Sequence, residues 1–311
     1  PCLSDNAMIM PSNDMRALGL LLVGGFALMS YAALIEAYRA ANVLAGRTLY
    51  RWVHVAIDGK PVRASNGATI IADGKVCDPL DCDTLFVFAA GDPSSFDDTA
   101  TFAWLRRLAR SEGRIAGGSG GPFLLARAGL LDGYRATIHW EHQAAFVETF
   151  PTLSLEPVLY VIDRRRMTCA GGTAGLDFAV DLIERDHGAS LAAQVSEWFI
   201  RTDPRSADKA QRLGLRERYG VSNDRVLRVL GAMEASVEEP LAREALARLA
   251  GVSVRQLERL FMAHLGRTVG EAYLEVRLAQ AEQLLRSTGM TVTAVAVACG
   301  FPSASHFSRC Y

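Results

Sequence analysis

Two domains of different class are predicted: an α/β domain with a doubly wound, largely parallel sheet over about the first 200 residues, and an all-α domain over the remainder. Three observations carry this. Short apolar runs alternate with helical signals from residue 15 to about residue 200, the composition turns polar just after Ile200, and one helical pattern is written twice between Ala247 and Tyr311. A chain of 311 residues at 50% hydrophobic and 22% charged is long and apolar enough for two cores.

Residues 18–23 are an apolar run of strand length, too short to span a membrane, and Gly24-Gly25 ends it as a buried parallel strand is ended. A helix follows over residues 29–44, closed by Gly46. Residues 51–57 read as the next strand, residues 67–72 as a small hairpin arm and residues 84–89 as a second buried strand. A helix over residues 97–112 turns Leu105 and Leu108 inward. Residues 114–117 form a third central strand that runs straight into Ser119-Gly-Gly-Pro122 and a helix through Arg127. Strands over residues 158–162 and 167–169 and a helix over residues 173–187 complete the first domain, whose ligands belong at the carboxyl ends of the strands.

The stretch that begins Thr202-Asp-Pro-Arg-Ser-Ala-Asp-Lys209 is polar, carries a proline and breaks periodicity, which is the signature of a linker. The expected division is therefore 15–201 for the first domain, 202–222 for the linker and 223–311 for the second domain, opened by a helix that Ser222 or Asn223 caps and that runs to about Met233. A net charge of -1 argues against a chain that grips nucleic acid indiscriminately. From Ser222 onward there are ten Arg, no Lys and nine Asp or Glu, a set better suited to bidentate contacts than to diffuse attraction. The six cysteines form no CxxC pair and have no histidines at zinc spacing. They read as free thiols of a reducing cytoplasm, with Cys77 and Cys82 as the one conceivable pair, and no metal or cofactor is expected. The apolar run 8–11 is too short for an export signal, so a soluble cytoplasmic protein without a membrane partner is expected.

In the second domain Gly251 and Gly300 are 49 residues apart and Arg259 and Arg309 are 50 apart, so the second copy carries one extra residue in its turn. Each copy reads as a helix, a glycine turn and a second helix presenting an arginine beside an aromatic, the layout of a helix-turn-helix. A first helix over residues 241–250 buries Leu246 and Leu249. Ser253-Val-Arg-Gln256 is a capping box that fixes the start of the next helix, on which Leu257, Leu260 and Phe261 share one face and Arg255, Glu258 and Arg259 the other. Residues 269–285 form one amphipathic connector about 25 Å long, with Tyr273, Leu274, Leu278, Ala281, Leu284 and Leu285 packed. That length suits two recognition helices about one duplex turn, roughly 34 Å, apart. A helical bundle with solvated arginines is the alternative, and the capping box and matched Arg-x-aromatic endings favour the reader.

Gly270-x-x-Tyr273-Leu274-x-x-x-Arg277-Leu278-x-x-Ala281-x-x-Leu284-Leu285, followed by Ala296-x-x-x-Gly300-Phe301 and Ser305-His-Phe-Ser-Arg309, resembles the DNA-binding domain of AraC-type transcription regulators. The resemblance implies DNA contacts from Ser253, Arg255, Gln256, Glu258 and Arg259 in the first unit and from Ala304, Ser305, Ser308 and Arg309 in the second. It departs at Val269, where the family has proline, a substitution that a helix start tolerates. It also implies that the second recognition helix would extend beyond Tyr311, so that the second unit reads as truncated.

The strand at 114–117 running through Ser119 into a helix is a nucleophile-elbow arrangement. It resembles the elbow of the PfpI/ThiJ and class I glutamine amidotransferase-like fold, which implies a flavodoxin-like sheet and, in that family, a cysteine where Ser119 stands. The segments from Leu130 to Trp140 and from Thr168 to Ala174 resemble the GlxA-type branch, in which this domain is fused to an AraC-type reader. Thiol chemistry is absent here, Ser30 occupies the place of the family's carboxylate, and His139 is the one plausible base for a serine route, with Glu141 and His142 too close in sequence for an obvious triad. The expected role is a non-enzymatic sensor with no catalytic residues, whose pocket over the elbow draws on Phe26, Ser30, Tyr31, Ser119, Gly120, His139, Trp140 and Glu141. Phe26, Tyr31 and Trp140 with Glu141 would form a cation-binding box, unless the aromatics are simply core. The sequence start of the first helix also resembles regulators that answer to quaternary amines or amino acids. The implied whole is a homodimeric regulator, an activator with RNA polymerase as a possible partner, that binds promoter DNA under control of an amine or amino-acid effector. A serine-dependent hydrolase fused to a DNA reader and a ligand-independent regulator with a purely dimerising first domain stay open.

Overall fold

The computed structural model describes residues 15–110 and 113–311. Cys2, the run 8–11 and the expected helix end at 111–112 lie outside the described residues. The first domain contains β1 (Arg16–Leu22), β2 (Tyr50–Ala56), β3 (Val62–Arg63), β4 (Thr69–Ile70), β5 (Gly74–Lys75), β6 (Thr84–Ala89), β7 (Arg114–Ser119), β8 (Arg135–Ala136), β9 (Ser154–Leu155), β10 (Tyr160–Asp163) and β11 (Arg166–Cys169). Seven of them make one sheet in the order β10-β11-β7-β6-β1-β2-β5, parallel except for the β10–β11 edge. The expected hairpin arm is the antiparallel pair β3–β4. The doubly wound sheet predicted from alternation is thus the sheet that forms.

Helices cover both faces: α1 (Leu28–Ala45), α2 (Thr99–Leu108), α3 (Gly121–Arg127), α4 (Gln143–Thr149), α5 (Ala174–His187) and α6 (Ala189–Trp198). The pleat sorts the central strands between two cores. Leu18, Leu20, Leu22, Phe86 and Phe88 pack under α1, α5 and α6, while Leu21, Leu85, Val87 and Ile115 pack under α2, α3 and α4. Helix α6 is absent from the sequence reading because Gly188, at φ 89°, closes α5 and opens α6 with no intervening turn signal. Helix α2 starts later than expected because the Asp98 carboxylate caps it, accepting from Thr101 N at 3.1 Å.

Residues 202–211 of the expected linker are polar, as read, but they are docked on the first domain rather than free, and residues 218–221 pack on the second. Arg201 and Arg205 both grip the buried carboxylate of Asp177 at 2.5 Å. Gln211 Nε2 donates to Thr137 Oγ1 (3.0 Å), Ile138 O (2.9 Å) and Val158 O (2.8 Å), and Ala210 bridges Val158. Polarity predicted a loose tether, yet these polar groups find buried partners on the first domain.

The second domain follows as α7 (Leu215–Tyr219), α8 (Asp224–Ala235), α9 (Arg243–Ala250), α10 (Val254–Leu265), α11 (Val269–Ser287), α12 (Val292–Ala298) and α13 (Ala304–Cys310). Asn223 caps α8. One core gathers Val226, Leu230, Met233, Leu246, Leu257 and Phe261, and a second gathers Ala281, Leu284, Val295, Phe301 and Phe307. Leu249 corrects the sequence reading: the buried stripe of α9 is Leu246, Ala247 and Ala250, and Leu249 is 42% exposed. Gly300 turns with φ 69°, and a side chain there would meet Val237 O at 2.6 Å. Among the described residues Cys77, Cys82, Cys169, Cys299 and Cys310 are free thiols, and no helix is long and apolar enough to cross a membrane.

The elbow approaches β6 so closely that a Cβ on Gly121 would sit 2.0 Å from Val87 O, whereas Gly24 faces open space. Gly121→Ala is therefore expected to destabilise the chain by about 2 kcal/mol or more through backbone displacement, with Gly24→Ala nearly neutral. Urea unfolding of the two variants, followed by far-ultraviolet circular dichroism, checks the difference.

Candidate functional site

The capping box expected at the first recognition helix is present. Ser253 Oγ accepts from Gln256 N (3.3 Å) and Gln256 Oε1 accepts from Ser253 N (3.0 Å), which fixes the first turn of α10. Leu257 and Phe261 are fully buried beneath it, and Arg255, Gln256 and Arg259 stand exposed. In α13, Ser303 Oγ accepts from His306 N (3.1 Å), Phe307 is buried, Ser305, Ser308 and Arg309 are exposed and Ala304 is half-buried. Among the described residues Arg255, Arg259 and Arg309 make no ion pair, whereas Arg243, Arg267 and Arg286 are paired with Glu258, Glu275 and Glu282. Free guanidinium groups on open helix faces suit bidentate contact with guanine or phosphate.

Glu258 corrects the list of candidate base readers. Its Oε2 accepts from Val269 N at 3.0 Å, adding a bond at the start of α11 beside the capping box of Thr268 and Glu271, and its Oε1 lies 3.8 Å from Arg243. A carboxylate committed to a helix start inside the protein is poorly placed to accept from cytosine. Helix α11 spans 19 residues, about 28 Å at the usual rise, and Arg277 fastens it to the second unit by donating to Cys299 O (2.8 Å) with its guanidinium 4.0 Å from the Phe301 ring centre.

In the first domain β7 delivers Ser119 to the elbow with φ 58°, the left-handed backbone that a nucleophile elbow imposes on a non-glycine residue. Gly171 packs so tightly there that a Cβ on it would meet Ser30 Oγ at 2.5 Å and Ser119 Cβ at 2.9 Å. The structure thus brings Ser30 and Ser119 together, and Ser30 Oγ accepts from Gly172 N at 2.8 Å. His139 N donates to Ser119 O (3.3 Å), but its ring turns to Glu141, accepting from Glu141 N at 3.4 Å. No hydrogen bond joins Ser119 Oγ to a base among the described residues.

The expected aromatic box does not assemble. Phe26 and Tyr31 stack edge-on at 5.7 Å within the core, and Tyr31 hydroxyl pairs with His54 Nε2 at 2.8 Å. Trp140 instead faces away, beneath Arg212 (4.9 Å) and beside His139 (5.4 Å). The cause is local: Phe26 and Tyr31 open a helix that packs on the sheet, while Trp140 lies on a 3-10 turn, Trp140–His142, pressed against the second domain. Gln283 Nε2 of α11 donates to the carbonyls of Trp140 (3.4 Å) and Glu141 (2.8 Å). A cavity of about 440 Å³ opens at this junction, lined by Trp140, Glu141, Arg212, Tyr219, Glu234 and Gln283 among others. Burial holds the His139 imidazole below its ordinary value and, with the nearby His139, pushes His142 down to about 4.

Two features escaped the sequence reading. A cleft of about 290 Å³ lies at the carboxyl ends of β1 and β6, the point where the strand order reverses, lined by Val23, Gly24, Ala89, Asp92, Pro93, Phe96, Asp97 and Asp98. Gly120 abuts it, since a Cβ there would meet Pro93 Cγ at 3.1 Å. Asp92-Pro93 marked a turn in the sequence, but nothing in the spacing tied it to the elbow. The other feature is a cluster of ligating side chains where no metal was expected: His139, Glu141 and His142 each offer an atom within 4.8 Å of the others.

A helix-turn-helix domain family matches residues 246–311, and the DJ-1/PfpI family matches residues 25–185. Over 291 residues the chain is 45% identical to the HTH-type transcriptional regulator CdhR of Pseudomonas aeruginosa, covering 94% of this chain and 86% of that protein. It is 42% identical over 301 residues to the HTH-type transcriptional regulator GlxA of Rhizobium meliloti, covering 96% and 93%. A crystal structure of an AraC family transcriptional regulator from Pseudomonas putida shares the fold, with a TM-score of 0.53 at 24% identity over 59% of this chain and 99% of that one.

The reassignment of Glu258 separates folding from reading. Glu258→Ala is expected to lower the stability of the second domain by about 1 kcal/mol through loss of its hydrogen bond to Val269 N while leaving base preference unchanged. Thermal melts and a binding series over substituted promoter fragments check the two halves.

Proposed function

Because the chain belongs to the helix-turn-helix transcriptional regulators whose first domain is of the DJ-1/PfpI family, we propose that it binds promoter DNA through α10 and α13 under control of a small nitrogenous metabolite. The observation that carries the DNA half is the pair of capped helices exposing Arg255 and Arg259 on one and Ser305, Ser308 and Arg309 on the other, fastened to a single connector. Ser253 and Gln256 define where α10 starts, and Ala304 sits where α13 meets the groove.

For the effector, the acid-lined cleft beside Gly120 suits a cationic amine or amino acid better than the dismantled aromatic box does. Asp97 supplies charge there, and Asp92 and Asp98 add to it while capping their own turns. Ala89 of the cleft pairs in register with Ser119, whose carbonyl accepts from His139 N, and this is the path by which occupancy would reach the turn bearing Trp140 and Glu141. Ser30 and the core residues Phe26 and Tyr31 lie outside the lining of the cleft. A cytoplasmic homodimer that activates by contact with RNA polymerase belongs to this reading on resemblance.

The sensor reading is preferred to catalysis because Ser30 Oγ is committed to Gly172 N and the His139 ring to Glu141. The strained φ at Ser119 is the one feature that favours a serine hydrolase. Hydrolysis of an ester and amide panel that vanishes in Ser119→Ala would establish that second reading.

Arg259→Ala is expected to weaken binding to the cognate promoter by about 1–3 kcal/mol, measured by fluorescence anisotropy at fixed salt, and unchanged affinity would remove Arg259 from the interface. An effector at 100 times its dissociation constant is expected to add about 2.7 kcal/mol of stability. A thermal-shift screen of amines and amino acids, repeated on Asp97→Asn, should lose its hits in the variant if the cleft is the site.

A further inference from the structure

We propose that His139, Glu141 and His142 form a binding site for a divalent transition metal of the zinc type, placed on the turn that joins the sensor domain to the connector helix. The ligating atoms lie within 4.8 Å of one another, and His139 Nδ1 is 3.8 Å from a Glu141 carboxylate oxygen. A zinc ion at bond lengths near 2.0–2.1 Å holds its ligand atoms roughly 3.3 Å apart, so the widest separation in the cluster has to contract by up to about 1.5 Å. Glu141, half exposed at the cavity rim, has the rotamer freedom to supply it.

A second observation points the same way. His142 is 2% exposed, and its Nδ1 is buried without a hydrogen-bond partner among the described residues. A buried imidazole nitrogen left unpaired is costly, and a metal bond is one way to satisfy it. Two imidazoles and one carboxylate leave a coordination position open, the arrangement of zinc sites that also take an exogenous ligand. The open position adjoins the interdomain cavity through Glu141.

The site is tied to the reader from its outer side. The carbonyls of Trp140 and Glu141, which lie between the ligating side chains, accept from Gln283 Nε2 of α11. Drawing Glu141 toward the histidines would therefore change the seat on which the connector rests.

The test uses the full chain, stripped with chelator and titrated with cobalt(II) alone. One equivalent is expected to bind with visible d–d absorption and to be displaced by zinc. His139→Ala and Glu141→Gln are each expected to weaken binding at least 10-fold without moving the metal-free melting temperature by more than a degree or two. His142→Ala, being buried, is read only if its circular dichroism matches the parent. Cys310→Ser, which alters the Cys310–His306 contact at 3.8 Å, should leave the titration unchanged. The proposal is overturned if the parent binds cobalt no better than His139→Ala with Glu141→Gln, or if Cys310→Ser abolishes the absorption. None of these readouts depends on DNA binding or on an effector.

Discussion

The burial of α11 against both cores of the second domain is the constraint on which the rest of that domain depends. Ala272 and Tyr273 close the core of the first helix-turn-helix, and Ala281 and Leu284 close that of the second. Tyr273 hydroxyl donates to Ser236 O (2.6 Å) and accepts from Leu241 N (3.1 Å), so it fixes the approach to α9. Arg277 then fixes the turn of the second unit through Cys299 O. Neither small core would be expected to hold its helices alone, since among the described residues one gathers 13 buried side chains and the other 7. A shared helix makes them one body, and the spacing of the two recognition helices becomes a property of its length.

The elbow holds a strained backbone around a hydroxyl that, among the described residues, has no base hydrogen-bonded to it. A non-glycine residue at φ 58° costs on the order of 1–3 kcal/mol and survives only where its surroundings over-determine it. Here the glycines that let the elbow approach β6 and Ser30 supply that over-determination. What the strained backbone now positions is a carbonyl as much as a side chain: Ser119 O accepts from His139 N and so anchors the turn bearing Trp140 and Glu141. The strain is thereby connected to the interdomain contact, without a base being aligned on the hydroxyl.

Much of this was legible in the sequence, and the exceptions have physical causes. Strand runs ended by glycine pairs gave the parallel sheet, and Ser253 with Gln256 gave the start of α10, because both signals are local. The exposed face of α10 followed from helical periodicity. Glu258 was misread because periodicity says which face a residue is on and not which neighbour reaches it, and Val269 N reaches Glu258 from the next helix. Trp140 was misread for a similar reason. An aromatic near a strand end was placed with Phe26 and Tyr31, but its partner, Arg212, lies 72 positions further along a segment whose polarity looked like that of a tether. The acidic cleft depended on a strand-order reversal that only the assembled sheet displays.

The polar contacts at the junction, beside the packing of Ala144 on the second core, give a scale for how strongly the two domains can influence each other. Gln283 contributes two hydrogen bonds to the turn, and Arg212 one stacking contact on Trp140. Net values near 1 kcal/mol for such hydrogen bonds and about 0.5–1 kcal/mol for an exposed cation–π contact give a differential of about 2–3 kcal/mol if all are remade between states. That falls within the usual range of coupling between sites and corresponds to roughly a 30- to 150-fold change in affinity. A ligand can shift the equilibrium only by its own differential affinity for the two arrangements. Tight effector binding in the cleft would therefore change promoter occupancy only to the extent that it distinguishes the seated from the unseated position of α11.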